Sequence, residues 1–155
     1  MRTTVDENHP SYRALMELLR TADTVWNASR VFFEQWDLSP SQFNVLNLLH
    51  FNPDGLSQTD LSRQLIMHRS NLTGLVDRLE KRGLVARREV AADRRAYSVV
   101  LTAAGNRLLR EILPRYYEEA VRVWDRFPAR RAAQLIADLK QVARNVEQIA
   151  AKLPR

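Results

Sequence analysis

The side chains best suited to specific chemistry lie close together in the middle of the chain. Arg69, Ser70, Asn71 and Thr73 fall within five positions, and Gly74 follows directly. An arginine can donate two parallel hydrogen bonds to guanine, and an asparagine can pair in the same way with adenine. On one helix face these groups would contact base edges in the DNA major groove, and Gly74 would let the backbone approach closely.

Positive charge is concentrated in the same part of the chain. The formal net charge is +6, and the segment 63–95 holds nine basic against four acidic residues, a net of +5. The basic residues are Arg63, Arg69, Arg78, Lys81, Arg82, Arg87, Arg88, Arg94 and Arg95. This excess favours a polyanionic partner, nucleic acid before an acidic membrane surface. A solvated basic face is the alternative interpretation.

Residue types that other chemistries need are missing or scattered. The 155 residues include no cysteine and only four glycines, which excludes disulfides and thiolate metal sites and leaves no phosphate-binding glycine loop. His9, His50 and His68 have no metal-ligand spacing. Neither a catalytic carboxylate pair nor a nucleophile with a base is apparent. We therefore expect no enzyme activity, no metal and no cofactor.

Length and hydropathy predict one soluble, cytoplasmic domain over 1–155. No apolar run approaches the roughly 18 residues that span a bilayer, so we expect no membrane partner. The first ten residues are polar and include Asp6 and Glu7, which does not resemble a secretory signal.

Hydrophobic spacing predicts the helices that would position the basic segment. These helices are Ser11–Trp36, 40–51, Ser57–Leu65 and His68–Arg82. Ser39 with Gln42, and Ser57 with Asp60, are N-terminal capping signals. Gly83 is a stop signal for the fourth helix.

The hydrophobic period then changes from 3.6 to 2. Leu84–Val90 and Tyr97–Leu101 read as the strands of a hairpin, with Tyr97, Val99 and Leu101 on the face toward the helices. One helix follows from Thr102 to about residue 127, with Pro114 as a point where it can bend, and another follows Pro128. The predicted fold class is mainly α with a small β wing.

Two short helices followed by a basic hairpin describe a winged helix-turn-helix DNA-binding region, which we place at 37–101. The candidate DNA-binding residues of the recognition helix are His68, Arg69, Ser70, Asn71, Thr73, Gly74 and Arg78. Those of the wing are Arg87, Arg88, Asp93, Arg94 and Arg95. For Asp77 and Arg78, ion pairs within the helix or with the wing are the alternative to DNA contact.

The same residues resemble a known family. Leu56–Leu65 and Arg69–Val85 are similar to the DNA-binding core of the multiple antibiotic resistance regulator (MarR) family. Asp-x-Arg at 93–95 and Leu-Thr-x-x-Gly at 101–105 resemble that family's wing. The resemblance implies that Arg95 enters the minor groove and that Asp93 orients the hairpin. His68 and Ile66 depart from the family's usual capping residue and turn glycine, which leaves the register of the base-reading residues open.

The last predicted helix carries an apolar stripe with steps of four and three residues. Its members are Leu135, Leu139, Val142, Val146, Ile149 and Leu153. This heptad seam favours a second subunit, with packing on the first or fifth helix of the same chain as the alternative. We predict a homodimer built from 10–36 and 102–153, as in the resembled family. Its two-fold symmetry predicts a pseudo-palindromic site on double-stranded DNA.

Five aromatic residues are candidates for a small-molecule pocket, because the resemblance implies a small aromatic effector. They are Trp26, Phe32, Phe33, Trp36 and Phe51. At helical spacing such residues also pack in cores, which is the alternative interpretation.

The sequence favours a sequence-specific, DNA-binding transcription regulator, a repressor that a small-molecule effector releases. A basic architectural protein that coats nucleic acid without reading sequence is the alternative. A third hypothesis is a protein-interaction module that keeps the winged-helix shape without DNA contact. Arg69, Asn71 and Arg95 favour the first.

Overall fold

The computed structural model describes residues 6–65, 72–90 and 93–153, which form six α-helices and three β-strands. The helices are α1 (Pro10–Glu34), α2 (Pro40–His50), α3 (Gln58–Gln64), α4 (Leu72–Lys81), α5 (Ala103–Arg122) and α6 (Ala129–Ala150). The strands are β1 (Leu56–Ser57), β2 (Val85–Val90) and β3 (Asp93–Leu101). The chain divides into two compact units, which meet within α5 between Glu111 and Ile112.

The predicted helix signals are confirmed where the structure describes them. At the start of α2, Ser39 Oγ accepts a hydrogen bond from Gln42 N at 3.2 Å, and Gln42 Oε1 accepts from Ser39 N at 2.8 Å. At α3, Ser57 Oγ accepts from Asp60 N at 3.0 Å. Gly83 follows α4 with a φ of +68°, a conformation that glycine adopts without a steric penalty. Local chemistry therefore sets the ends of three helices.

The helix α1 ends two residues earlier than predicted. Asp37 takes a left-handed conformation with a φ of +53°, and Leu38 N donates to Phe33 O at 3.2 Å. This hydrogen bond closes the last turn and sends the chain directly into α2. Trp36 lies in the corner and not in the helix.

The core of the first unit lies between α2, α3, α4 and the base of the sheet. Leu46, Leu61, Val76, Leu79 and Val99 are fully buried. The ring of Phe33, at the end of α1, stacks on Phe43 of α2 with 4.2 Å between centroids. The core thereby fixes one face of α4 against the rest of the unit.

The three strands form an antiparallel sheet in the order β1-β3-β2. The strand β3 begins at Asp93, four residues before the predicted start at Tyr97, because it pairs with β2 almost to its end, through a register shift at Glu89 and Val90. The prediction for one face of this strand was partly wrong. Tyr97 is 47% exposed, and Val100 is buried beside Val99.

Burial of Val100 has a local cause at Gly55. This glycine, with a φ of +89°, lies so close to β3 that a Cβ would stand 2.6 Å from Val100 Cγ1 and 2.3 Å from Ser98 Oγ. The backbone before β1 therefore covers the second face of β3 at this point. Alternation of apolar and polar residues predicts a strand with one buried face. At this point of β3 both faces are buried.

The second unit holds the end of α5 and the whole of α6. The helix α5 continues through Pro114, and α6, described along its full length, has no buried residue. The predicted stripe on α6 lies open, apart from Leu135, which is half-buried. Leu153 lies beyond the end of the helix at Ala150. In the described part of the chain, no helix is long and apolar enough to cross a membrane.

Candidate nucleic-acid interface

The helix α4 has one buried and one open face. Leu72, Leu75, Val76 and Leu79 are buried, and Thr73 and Arg78 lie exposed with the half-buried Gly74 between them. At about 100° per residue, positions 74 and 78 lie close together on the side away from the buried residues, and position 73 lies at the edge of that side. A Cβ at Gly74 would stand 3.6 Å from Arg78 Nη1. The open face therefore presents a hydroxyl, a bare stretch of backbone and a guanidinium side by side.

Seven of the predicted contacts are beyond what the structure describes. His68, Arg69, Ser70 and Asn71 lie outside the described residues. Asp93, Arg94 and Arg95 lie in β3 by their backbone, and their side chains are outside the described part. These assignments stay predictions.

Arg87 on β2 is bound to two carboxylates of α4. Its guanidinium pairs with Asp77 and Glu80, and its backbone N donates to Glu80 Oε1 at 3.1 Å. The hydrogen bond to Asp77 and the charge of Glu80 raise the pKa of Arg87 above its ordinary value, against the opposing effect of burial. These contacts connect the wing to α4. For Asp77, an ion pair with the wing is one of the interpretations that the sequence left open.

A DNA phosphate would have to compete with those two carboxylates for the guanidinium of Arg87. The predicted DNA contact of Arg87 therefore stays a prediction, and its ion pairs do not favour it. The neighbouring Arg88 differs because successive strand residues point to opposite sides of the sheet. Arg88 is exposed and pairs in register with Ser98 on β3. Its positive charge is therefore exposed to solvent on the wing, whereas the charge of the neighbouring Arg87 is paired with carboxylates of the same chain.

The base of the wing is closed by the Leu-Thr-x-x-Gly segment. Thr102 Oγ1 donates to Gly83 O at 2.6 Å and accepts from Gly105 N at 3.0 Å. A Cβ at Gly105 would lie 2.1 Å from Leu84 O, so only glycine fits here without a shift. One threonine thus caps α5 and connects it to the residue that ends α4.

The five aromatic residues predicted for an effector pocket differ in their exposure, and the pocket stays a prediction. Phe33 and Trp36 are buried, and Phe51 is 65% exposed. A groove of about 690 Å³ does run between the C-terminal half of α1 and the start of α2, and Trp26 is the member of the set that lines it. Most of its lining is polar or charged, including Arg30, Glu34 and Asp37.

These elements define a winged helix-turn-helix protein: a three-stranded sheet with a hairpin wing, and a short helix pair whose second helix has an open face. Comparison with known proteins agrees. Residues 36–96 match the model of the MarR family. Over these residues the chain is similar to this family.

Curated relatives are similar over about three fifths of the chain. The transcriptional repressor YetL of Bacillus subtilis is 32% identical over 97 residues, which are 62% of this chain and 58% of YetL. The transcriptional regulator FarR of Neisseria gonorrhoeae is 33% identical over 95 residues, 61% of this chain and 64% of FarR. The chain thus spans about three fifths of the length of these relatives.

Solved structures are similar over most of the chain. A MarR-family transcriptional regulator from Rhodococcus sp. RHA1 has a TM-score of 0.77 at 26% identity, with 88% of this chain and 96% of that chain covered. MepR of S. aureus, in a complex with DNA, has a TM-score of 0.76 at 22% identity, over 87% and 97% of the two chains. The second likeness concerns the fold alone.

Proposed function

We propose that the chain is a sequence-specific regulator of transcription that binds double-stranded DNA in the cytoplasm. The observation that carries this proposal is the open face of α4 with Thr73, Gly74 and Arg78, on a helix whose carboxylates hold the adjacent basic wing through Arg87. A helix presented in this way fits the major groove. The relatives named as a transcriptional repressor and a regulator support the same function.

The proposed regulator acts as a homodimer. The support is the apolar stripe of α6, on which Leu139, Val142, Val146 and Ile149 are all exposed. A second apolar set lies exposed on α1 and includes Tyr12, Leu15 and Leu19. Exposed apolar stripes of this kind mark interaction sites. A two-fold dimer places two recognition helices on a pseudo-palindromic site.

Repression released by a small molecule is the proposed mode of regulation. The groove beside Trp26 is the candidate site for such an effector. The effector would act by shifting the population of DNA-binding and non-binding states. We do not assign the effector a chemical identity. A pocket lined by the five aromatic residues would favour an aromatic effector, but only Trp26 of that set lines this groove.

Protection of DNA upstream of the protein's own gene tests the proposal. We expect a footprint of two half-sites about one helical turn apart, which persists when random DNA is in excess. Uniform coating without a preferred site would instead support the architectural alternative. Absence of any binding would support the interaction module.

Two adjacent wing variants sharpen this test. We expect Arg95→Ala to lose most of the operator affinity, at least about tenfold or 1.4 kcal/mol, and Arg94→Ala to lose much less. Only one of two neighbouring strand residues can point into the minor groove, and the resemblance places Arg95 there. Binding titrations over a salt series measure both. Equal losses with equal changes in salt slope would mean that the wing is only a basic patch.

A further inference from the structure

The C-terminal end of α4 is attached to the corner between α1 and α2 by one side chain. Arg82 Nη2 donates to Trp36 O at 3.0 Å, and its Nη1 donates to Asp37 O. The same guanidinium lies 3.7 Å from Asp37 Oδ2. We propose that Arg82 is a positioning residue that sets the orientation of α4 for DNA binding and does not itself contact DNA. This inference depends on the proposed function.

The two backbone carbonyls are the main partners of Arg82. The carboxylate of Asp37 is 95% exposed, whereas the side chain of Arg82 is 32% exposed. An ion pair with so exposed a partner contributes little, but hydrogen bonds from a charged donor are stronger than neutral ones. Both carbonyls lie beyond the end of α1 at Glu34, and Arg82 donates a hydrogen bond to each of them.

Both ends of this connection are fixed. Arg82 N donates to Arg78 O at 3.2 Å, and Leu84 N donates to Leu79 O at 3.0 Å, so Arg82 belongs to the closing turn of α4. On the other side, Trp36 is buried, and its indole Nε1 donates to Glu111 Oε1 of α5 at 2.8 Å. The corner is therefore a rigid support, since α5 holds its side chain while Arg82 holds its carbonyl.

Besides the buried face of the helix, two arginines hold α4 through polar contacts. Arg87 holds its middle through Asp77 and Glu80, and Arg82 holds its end. The open residues Thr73 and Gly74 lie about 13 Å along the helix from Arg82, at 1.5 Å per residue. With one of these two polar connections removed, a small tilt at the end of the helix displaces these residues relative to the bases. Base-specific contacts tolerate such a displacement poorly, and phosphate contacts tolerate it well.

The experiment compares Arg82→Gln with Lys81→Gln, which removes the same charge from the adjacent exposed residue. Affinities are measured for the footprinted site and for random DNA over a salt series. We expect Arg82→Gln to weaken binding to the site about tenfold, to leave binding to random DNA nearly unchanged, and to keep the wild-type salt slope. Lys81→Gln should change both affinities little and equally.

Arg82→Lys separates positioning from a phosphate contact. A lysine supplies a point charge that can bind a phosphate, but it lacks the planar fork that reaches two carbonyls. We expect Arg82→Lys to resemble Arg82→Gln. Restored affinity in Arg82→Lys, or a salt slope reduced by about one in Arg82→Gln, would overturn the proposal in favour of a direct phosphate contact. If Arg82→Gln does not fold, Arg82→Lys carries the test.

A spectroscopic measurement checks the corner itself. In a Trp26→Phe, Trp124→Phe background, Trp36 is the remaining tryptophan of the sequence. Its emission should shift in Arg82→Gln and not in Lys81→Gln. A wild type without any preferred DNA site would refute the proposed function and this inference together. A wild type that binds its site, with Arg82→Gln binding it equally well, would refute the inference alone.

Discussion

Two helices of similar apolar content, α4 and α6, differ in what covers their apolar side chains. On α4, Val76 is 0% exposed and Leu75 and Leu79 are also buried. On α6, Val146 is 54% exposed, and no residue of the helix is buried. The apolar residues recur at steps of three and four positions in both helices. The winged-helix region therefore completes its core within one chain, whereas the stripe of α6 is exposed.

The difference matters because apolar burial is the main favourable term in folding. Covering a valine or leucine contributes about 1.5–3 kcal/mol, and α4 receives this contribution from its own chain. The stripe on α6 would receive it on association. We thus expect substitutions in the two helices to affect different observables, namely folding in α4 and assembly in α6.

The largest effect should come from Val76→Asp. The new carboxylate would lie in a fully buried apolar site without a hydrogen-bonding partner, and its transfer out of water costs a large amount of free energy. We expect a loss of more than about 4 kcal/mol of unfolding free energy, enough to remove the cooperative thermal transition seen by circular dichroism. A folded Val76→Asp protein of wild-type stability would contradict the described core.

Val146→Asp is the matched substitution on α6. The wild type should sediment at about twice 18.0 kDa at micromolar concentration, and Val146→Asp should shift toward 18.0 kDa with its helical spectrum kept. A wild type that sediments as a monomer would remove the role proposed for the α6 stripe. Equal unfolding by both substitutions would remove the distinction between the two helices.

Gly105→Ala probes how tightly the winged-helix region is closed. The added methyl would lie 3.0 Å from Leu101 Cδ2 and 2.1 Å from Leu84 O, a backbone atom that cannot move without disturbing the wing base. We expect a loss of about 1–3 kcal/mol, measured by chemical denaturation. Gly83→Ala is the control, since a Cβ there meets nothing within 4 Å and only the positive φ opposes it. A smaller loss at Gly105 than at Gly83 would mean that α5 is free to move away from the wing.

Features set by neighbouring residues could be predicted from the sequence. The capping pair Ser39–Gln42 and the stop at Gly83 depend on residues within one helical turn, and both are confirmed. The order of elements followed from the same local patterns, and the resemblance to the MarR family followed from the motifs between Leu56 and Gly105. Interactions between distant residues could not be predicted. Arg82 and Trp36 are 46 positions apart. In a basic segment, the sequence does not distinguish an arginine that binds a backbone carbonyl from one that binds DNA.

The same limit applies to Arg87 and to the aromatic residues. The charge of Arg87 predicts a DNA contact, and the sequence does not reveal that its guanidinium also pairs with two carboxylates of α4. Phe33, Trp36 and Phe51 share the aromatic character of pocket residues, yet two of them are buried and the third is exposed. Composition indicates what a side chain can do, and only the fold determines which neighbours it meets.

Gly74→Ala should have the smallest effect on stability, and its sign should be opposite to that of Gly105→Ala. Gly74 lies within α4, and the nearest atom to a new Cβ would be Arg78 Nη1 at 3.6 Å, an ordinary contact with the end of a flexible side chain. Alanine is favoured over glycine inside a helix by about 0.5–1 kcal/mol. Chemical denaturation should therefore show a gain of this size.

DNA affinity should change in the other direction. If the open face of α4 enters the major groove, the bare backbone at Gly74 lies close to DNA, and a methyl group there occupies space that the complex needs. We expect a more stable protein that binds its site more weakly, a combination that general damage to the fold cannot produce, because damage lowers both quantities. A gain in stability with unchanged affinity would show that Gly74 lies away from the DNA surface. In that case the docking face of α4 would have to be rotated toward Thr73, and the role assigned to Gly74 in the interface would be wrong.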